Sequence, residues 1–479
     1  MPQDTPDEPA IRRRLAEARQ GHVLRFWDAL SEDGRRRLLG QLAEIDFRLL
    51  AALVDEHVTS PKPGGVPADL EPAPFIPLPT TGAERRRRRR MYDLGERLLA
   101  AGKVAALVVA GGQGTRLGWP KPKGTYPIGP MHERTLFQVF ADGILAARRA
   151  YGVAIPWYIM TSEATDGPTR GFFREHGFFG LPPDDVRFFV QGMMPAVDFN
   201  GKLILEAPDS LARNPNGHGG TLLALAREGM LGDMRRRGIE YVSYFQADNP
   251  LVPPLDPVFL GHHADAASDM SSKMARKRDA AEKVGVFCTS RGRLHVIEYS
   301  DLPPDLAEEK VGDNLRFEAG SIAIHILSRT FVERLTAGGR LALPFHRAKK
   351  KVSCADAAGK TVEPAAPNGI KFEMFIFDAL PMASNPVVLE IDRAREFSPV
   401  KNAEGEDSPA TARRDLVALD AARLEAAGLH VPRRAHGQPA FKVQISPLAA
   451  RTPEELGRLL ARRGITRLTG DLCLGPDDE

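Results

Sequence analysis

The chain has 479 residues, room for two or three domains with their own cores, and its 43% hydrophobic and 27% charged content is ordinary for a globular protein. A net charge of +3 against 65 Lys plus Arg gives no global field for nucleic acid. The three cysteines, Cys288, Cys354 and Cys473, form neither a disulfide framework nor a metal-binding pair, and no run of about eighteen apolar residues offers a membrane span. The acidic start MPQDTPDEPA lacks an apolar segment, so no signal peptide is expected; the expectation is a cytoplasmic protein with reduced thiols.

Residues 10 to about 58 have helical spacing, with Ser31 placed to cap a second helix. Ser60 to Gly82 holds Pro61, Pro63, Pro67, Pro72, Pro74, Pro77 and Pro79, a density that predicts an extended connector over the surface. Arg85 to Arg90 reads as a solvated cationic opening of a helix. Val104 to Val109 is an apolar run without polar alternation, the pattern of a strand buried on both faces of a parallel sheet. Then follow a helix (136–151), a strand (153–161), a helix (166–177), a strand (186–191), one amphipathic helix (221–237) and a strand (241–246). Alternating strands and helices predict an α/β fold, with ligands beyond the carboxyl ends of the strands. Residues 283–300 predict a hairpin turning near Arg291-Gly292, 317–327 another buried segment, and 370–380 a Phe-rich helix or strand. Glu404 to Arg414 suits a polar loop; from about 415 a helix, a turn at His436-Gly437, a strand (441–445) and a helix (453–463) suggest a small C-terminal domain.

The stretch VVAGGQGTRLGWPKPKGT turns a buried strand into glycines (Gly111, Gly112, Gly114, Gly118) and cations (Arg116, Lys121, Lys123). Bare backbone N–H groups and fixed positive charge suit phosphates. The spacing excludes a P-loop, which needs Lys-Ser or Lys-Thr after the glycines, and misses the dinucleotide fingerprint by one residue. Asp248 ends the strand YVSYFQ: such a carboxylate can hold Mg²⁺ against phosphate oxygens, or merely shape an Asx-turn. The loop NPNGHGG (214–220) would let backbone read the edge of a base, with Gln191 adding a paired donor and acceptor; a flexible surface turn is the plain alternative. Lys349, Lys350 and Lys351 form a run, of which at most one is expected to point inward, whereas Lys371 and Lys401 stand singly. Phe375 and Phe377 alternate, predicting a shared strand face that lines a ligand or packs the core.

Taken with QGMMPA…NGK, PNGHGG, QADNPL, EKVGV, VIEYSDL, FEAGSIAIHIL, LPFHRAKKKV, PNGIKFEMFIFD and EFSPVKNAEG…ATAR, this loop resembles the UDP-N-acetylhexosamine pyrophosphorylases of the eukaryotic-type UDP-sugar pyrophosphorylase superfamily, from about His22 to Leu448. The resemblance implies a central Rossmann-like, mixed and mostly parallel sheet of the GT-A-like, nucleotide-diphospho-sugar transferase kind. Around it stand an N-terminal helical region with its connector (1–82), a central domain (83–414) and a small C-terminal α/β domain (415–479). The implied reaction joins UTP and N-acetylglucosamine 1-phosphate into UDP-N-acetylglucosamine and pyrophosphate with Mg²⁺ or Mn²⁺. The partners are those small molecules, with neither nucleic acid nor membrane, and the chain is expected to be a monomer or weak homo-oligomer. Carried over by position, Val109, Ala110, Gly111, Gly112 and Gly114 hold the nucleotide, and Gln191 and Gly217 read uracil. Asp248 stands near metal and ribose, while Arg116, Lys123, Lys371 and Lys401 meet phosphates. His218, Gly285, Glu298, Tyr299, Ser321, Phe375 and Phe377 line the sugar.

Two positions depart from the family pattern: His218 stands where Asn is usual, as in UDP-glucose and broad-specificity enzymes, and Ser321 where a sugar-contacting Asn is usual. Serine lacks the amide's paired donor and acceptor, and a lost hydrogen bond costs ~1 kcal/mol. The alternatives are therefore a UDP-glucose or broad-specificity pyrophosphorylase and, in another class, a catalytically silent UDP-sugar binder.

Overall fold

The computed structural model describes residues 7–60 and 66–475. The chain divides into two compact units. The first holds the described residues of 1–65 with Gln191–Thr221 and Ala342–Asp378; the second holds Val66–Val190, Leu222–Leu341 and the described residues from Ala379 onward.

In the first unit, helices Glu8–Glu17, Glu32–Glu44 and Phe47–Val54 match the N-terminal periodicity, and the Ser31 hydroxyl accepts from Gly34 N at 3.2 Å as its cap. Their apolar faces, with Leu15, Val23, Leu38 and Leu42, pack with Val197, Leu203, Leu211, Ile370 and Phe372. Buried Gln20 ties the two stretches, donating to Gly201 O at 2.9 Å and accepting from Leu203 N at 3.0 Å. These pairings span some 180 residues of chain and have no local signature.

The second unit is built on a ten-stranded sheet. In chain order its strands are β1 (Glu71–Pro72), β2 (Val104–Val109), β3 (Trp157–Thr161), β4 (Val186–Val190), β5 (Tyr241–Gln246), β6 (Met270–Arg276), β7 (Val286–Ser290), β8 (Arg293–Ile297), β9 (Ala319–Ser328) and β10 (Val387–Glu390). β5, β2, β3 and β4 lie side by side and parallel, whereas β9 joins β5 antiparallel and makes the sheet mixed. β2 is buried on both faces along Val104–Val108, as its unbroken apolar run demands. Helix Leu136–Tyr151 packs Phe137 and Phe140 onto the sheet; Thr135 caps its start and Gly152, at φ 66°, ends it. Each of these fully buried rings contributes about 2 kcal/mol.

β7 and β8 form the expected hairpin, with Arg291 (φ 50°) and Gly292 (φ 70°) both left-handed at its turn. Four local expectations change. The helix expected over 221–237 is two, Gly220–Arg227 and Met230–Arg236, broken at Gly229 with φ 74°. The strand expected over 153–161 starts only at Trp157. The loop expected over 404–414 ends early, because Ser408 caps a helix from Pro409 to Ala426 whose first turn tolerates proline. The connector also pairs with the sheet: Glu71–Pro72 joins β7, and Ile76 bridges β10. Its Pro61 and Pro63 lie outside the described residues.

The C-terminal helices Pro409–Ala426 and Pro453–Arg462 and the strand Val443–Ile445 surround a core of their own, with Leu424, Val431, Leu456 and Leu460. Among the described residues no helix is long and apolar enough to cross a membrane.

Candidate active site

At the carboxyl end of β2 the ladder hands over to the glycine loop. Ala110 N still donates to Met160 O at 2.8 Å and Ala247 N to Val109 O at 3.1 Å, so the loop springs from between β3 and β5. The Ser162 hydroxyl donates to Gly111 O at 2.8 Å. Gly112 is exposed and a Cβ there would meet nothing within 4 Å, while its carbonyl accepts from Lys123 N at 3.0 Å. The loop thus closes on itself, and Gln113–Gly114 pairs with Trp119–Pro122. Glycine is required at Gly114, where a Cβ would stand 2.8 Å from Trp119 O, and at Gly118, with φ 67°.

The cations separate by this geometry. Lys121 lies over the Trp119 ring, 5.0 Å from its centroid. Arg116 is exposed on the turn Thr115–Leu117 with no partner among the described residues. Lys123 turns inward: its Nζ is 3.7 Å from Asp248 Oδ2, with the two side chains 20% and 17% exposed. Asp248 follows β5, the strand beside β2. The turn-shaping role falls to Asn249, whose Oδ1 accepts from Leu251 N at 3.3 Å and Ser398 N at 3.1 Å. Val400 N donates to Asp248 O at 2.8 Å, which brings Lys401 to the same strand end. Val109 to Gly114, Arg116, Lys123, Asp248 and Lys401 are thus gathered where parallel strands end, the place such sheets hold ligands.

A second group in this unit surrounds the base of the β7–β8 hairpin. Gly285 O accepts from Ser321 N at 2.7 Å, and a Cβ on Gly285 would meet Val296 Cγ1 at 2.8 Å and Glu298 Oε1 at 3.2 Å. Tyr299, just beyond β8, is 47% exposed. Lys277, missed in the sequence because it sits inside the cationic string ARKR, is buried against Gly320 and donates to Ala280 O at 3.2 Å. Burial lowers its proton affinity below the usual lysine range, with Glu282 and Asp279 opposing.

The other candidates lie in the first unit. Gln191 Nε2 donates to Gly217 O at 2.7 Å. The glycines of NPNGHGG are explained by close packing: with φ 85° at Gly217, a Cβ would stand 2.3 Å from Met374 O, and one on Gly219 2.7 Å from Phe375 C. Met374 N donates to Asn216 O and Gly219 N to Met374 O, both at 2.8 Å. These bonds end the strand Gly369–Glu373 before the phenylalanines, so Phe375 and Phe377 do not share a strand face. Both rings instead meet His218, at centroid distances of 5.3 and 5.8 Å. His218 Nδ1 accepts from Ile376 N at 3.2 Å, which fixes the Nε2–H tautomer, and burial among the rings lowers its pKa to about 4. Lys371, half-buried in that strand, pairs with Ala348; Lys349, Lys350 and Lys351 are all exposed, as solvated residues are.

A glycine loop and a Lys–carboxylate pair at the ends of parallel strands, in a mixed sheet of this order, define an α/β protein of the nucleotidyltransferase type. The chain resembles the uridine diphosphate N-acetylglucosamine pyrophosphorylase of Trypanosoma brucei, with TM-score 0.82 and 28% identity over 100% of both chains. It also resembles a putative UDP-N-acetylglucosamine pyrophosphorylase from Entamoeba histolytica, with TM-score 0.73 and 32% identity over 84% of this chain and 100% of that one. In sequence it is 40% identical to the human UDP-N-acetylhexosamine pyrophosphorylase-like protein 1 over 94% of each chain. The UTP–glucose-1-phosphate uridylyltransferase family profile matches residues 85–429. The chain belongs to this family.

Proposed function

We propose that the protein transfers a uridylyl group from UTP to a sugar 1-phosphate, N-acetylglucosamine 1-phosphate first among them, releasing pyrophosphate. The observation that carries this reading is the inward-turned Lys123 facing Asp248 beside the exposed Gly112. A sugar phosphate oxygen, already ionised, attacks the α-phosphorus of UTP and pyrophosphate leaves in line, so no protein nucleophile is needed. Lys123 and Arg116 neutralise the departing pyrophosphate, and Lys401 offsets the repulsion between the two anions; the phosphate role of Lys371, in the first unit, rests on the family resemblance alone. Gln191, its Nε2 engaged by Gly217, presents its carbonyl oxygen to a uracil N–H.

Asp248 fits Mg²⁺ as a single carboxylate ligand, since that ion is held by one or two carboxylates with substrate phosphates and waters; among the described residues no cluster of three such groups exists. When bound, the ion would supply charge neutralisation at the phosphate oxygens. Gly285, Glu298, Tyr299 and Ser321 receive the sugar in this reading; for His218, Phe375 and Phe377, in the first unit, that role rests on the family resemblance alone. His218 and Ser321 favour a second reading, a UDP-glucose or broad-specificity enzyme. Pyrophosphate release from UTP with a panel of sugar 1-phosphates tests both: the fastest turnover with the N-acetylated sugar supports the first, and poor turnover with it overturns that choice.

A further inference from the structure

Lys273, on β6, is a charge taken wholly inside, with a side chain 1% exposed. Its Nζ donates to Asp256 Oδ2 at 2.6 Å and to the Glu396 carboxylate. Half-buried Arg88, one of the six consecutive arginines, adds its charge to both carboxylates, so two cations balance two anions. Desolvating ions costs several kcal/mol apiece, and well-packed apolar residues serve stability at least as well. Geometry is what such a cluster supplies.

Its two arms lead to different places. Asp256 caps helix Pro257–Asp265 through Val258 N at 2.9 Å. Glu396 ends the short helix Arg393–Glu396 and opens the segment that runs to Lys401. The Glu396 carbonyl accepts from Asn249 Nδ2 at 2.7 Å; Asn249 Oδ1 accepts from Ser398 N; Val400 N donates to Asp248 O. A continuous series of bonds therefore joins the buried ammonium to the backbone that carries Asp248 and Lys401.

We propose that Lys273 is a positioning residue for the phosphate end of the site: by holding Glu396 it fixes segment 396–401 against Asp248-Asn249 and sets where the Asp248 and Lys401 side chains stand. The activity readout rests on the uridylyltransferase reading; an exchange readout does not. The full chain is compared with Lys273→Met, Glu396→Gln and Asp256→Asn, the last touching the same ammonium but not the arm to Asp248. Amide exchange in 398–401 is expected to quicken about tenfold in the first two variants, with kcat falling about tenfold or more and KM for UTP within about threefold. Asp256→Asn leaves both near the parent, whatever it does to thermal stability. Parental exchange in Glu396→Gln, or equal effects in Asp256→Asn, overturns the proposal; should Lys273→Met not fold, Glu396→Gln decides. A parent without turnover sinks the reaction reading, and exchange alone then settles the positioning role.

Discussion

Lys123 Nζ and Asp248 Oδ2 stand 3.7 Å apart, each carried by the loop that follows one of two adjacent parallel strands. The separation is longer than a hydrogen bond, so the two charges share a strand end without closing it, and a phosphate can engage the ammonium at little cost in broken contacts.

Removing the cation should therefore cost chemistry and spare the fold. Lys123→Ala is expected to lower kcat about 10²-fold or more, the range for one preorganised charge-stabilising group. Pyrophosphate release measures it, and a parental thermal midpoint assigns the loss to the site.

Ser321 N is bonded to Gly285 O, so the backbone at this position is fixed and a larger side chain would project from a set point. Ser321→Asn should raise the ratio of kcat/KM for N-acetylglucosamine 1-phosphate over glucose 1-phosphate about fivefold to tenfold, the worth of one hydrogen bond. Turnover of the two sugars in parallel measures the shift; a ratio unmoved or lowered removes Ser321 from the sugar's surroundings.

Helices Gly82–Ala100 and Pro257–Asp265 touch backbone to backbone. A Cβ on Gly95 would stand 1.9 Å from Pro257 O, and one on Gly261 equally close to Met91 O. Gly95→Ala should destabilise by about 3 kcal/mol, because two backbones have to part. A lowered unfolding midpoint, with unchanged turnover per folded molecule, is the expected result.

Acid should weaken the fold before most carboxylates titrate. Burial lowers the pKa of His262 and of His218 to about 4 and that of His263 to about 3. The folded state thus keeps neutral groups that the unfolded chain protonates below about pH 6.5. Their contribution is fully present above that pH and is lost as pH falls towards 4, at up to ~1.4 kcal/mol per pH unit for each buried ring. Denaturant midpoints at pH 7 and 5 measure the loss, and His262→Gln should flatten the slope.

The parallel strands were legible because burial on both faces leaves an unbroken apolar signature, as in Val104–Val109, and the hairpin because Arg291-Gly292 supplies two left-handed residues. The glycine loop and Asp248 were legible as chemistry out of place in a core. The sequence hid whatever depends on distant partners. Gln20 reaching Gly201, Gly217 and Gly219 packing on Met374 and Phe375, and Asn249 bonding Ser398 leave no local pattern. Phe375 and Phe377 misled for the same reason: their alternation belongs to a strand that backbone bonds from Asn216 and Gly219 cut short.

The proline-rich connector has one more consequence. Glu71–Pro72 pairs with β7 at Thr289 and Cys288, and Ile76 exchanges two backbone bonds with β10. Both strands would otherwise offer bare edges, ready templates for another chain, and prolines cannot pass such a template on. Replacing Glu71 to Ile76 by a flexible glycine-serine stretch, with the N-terminal helices left in place, should keep the other strands of the sheet and promote association of the chain through the uncovered edges.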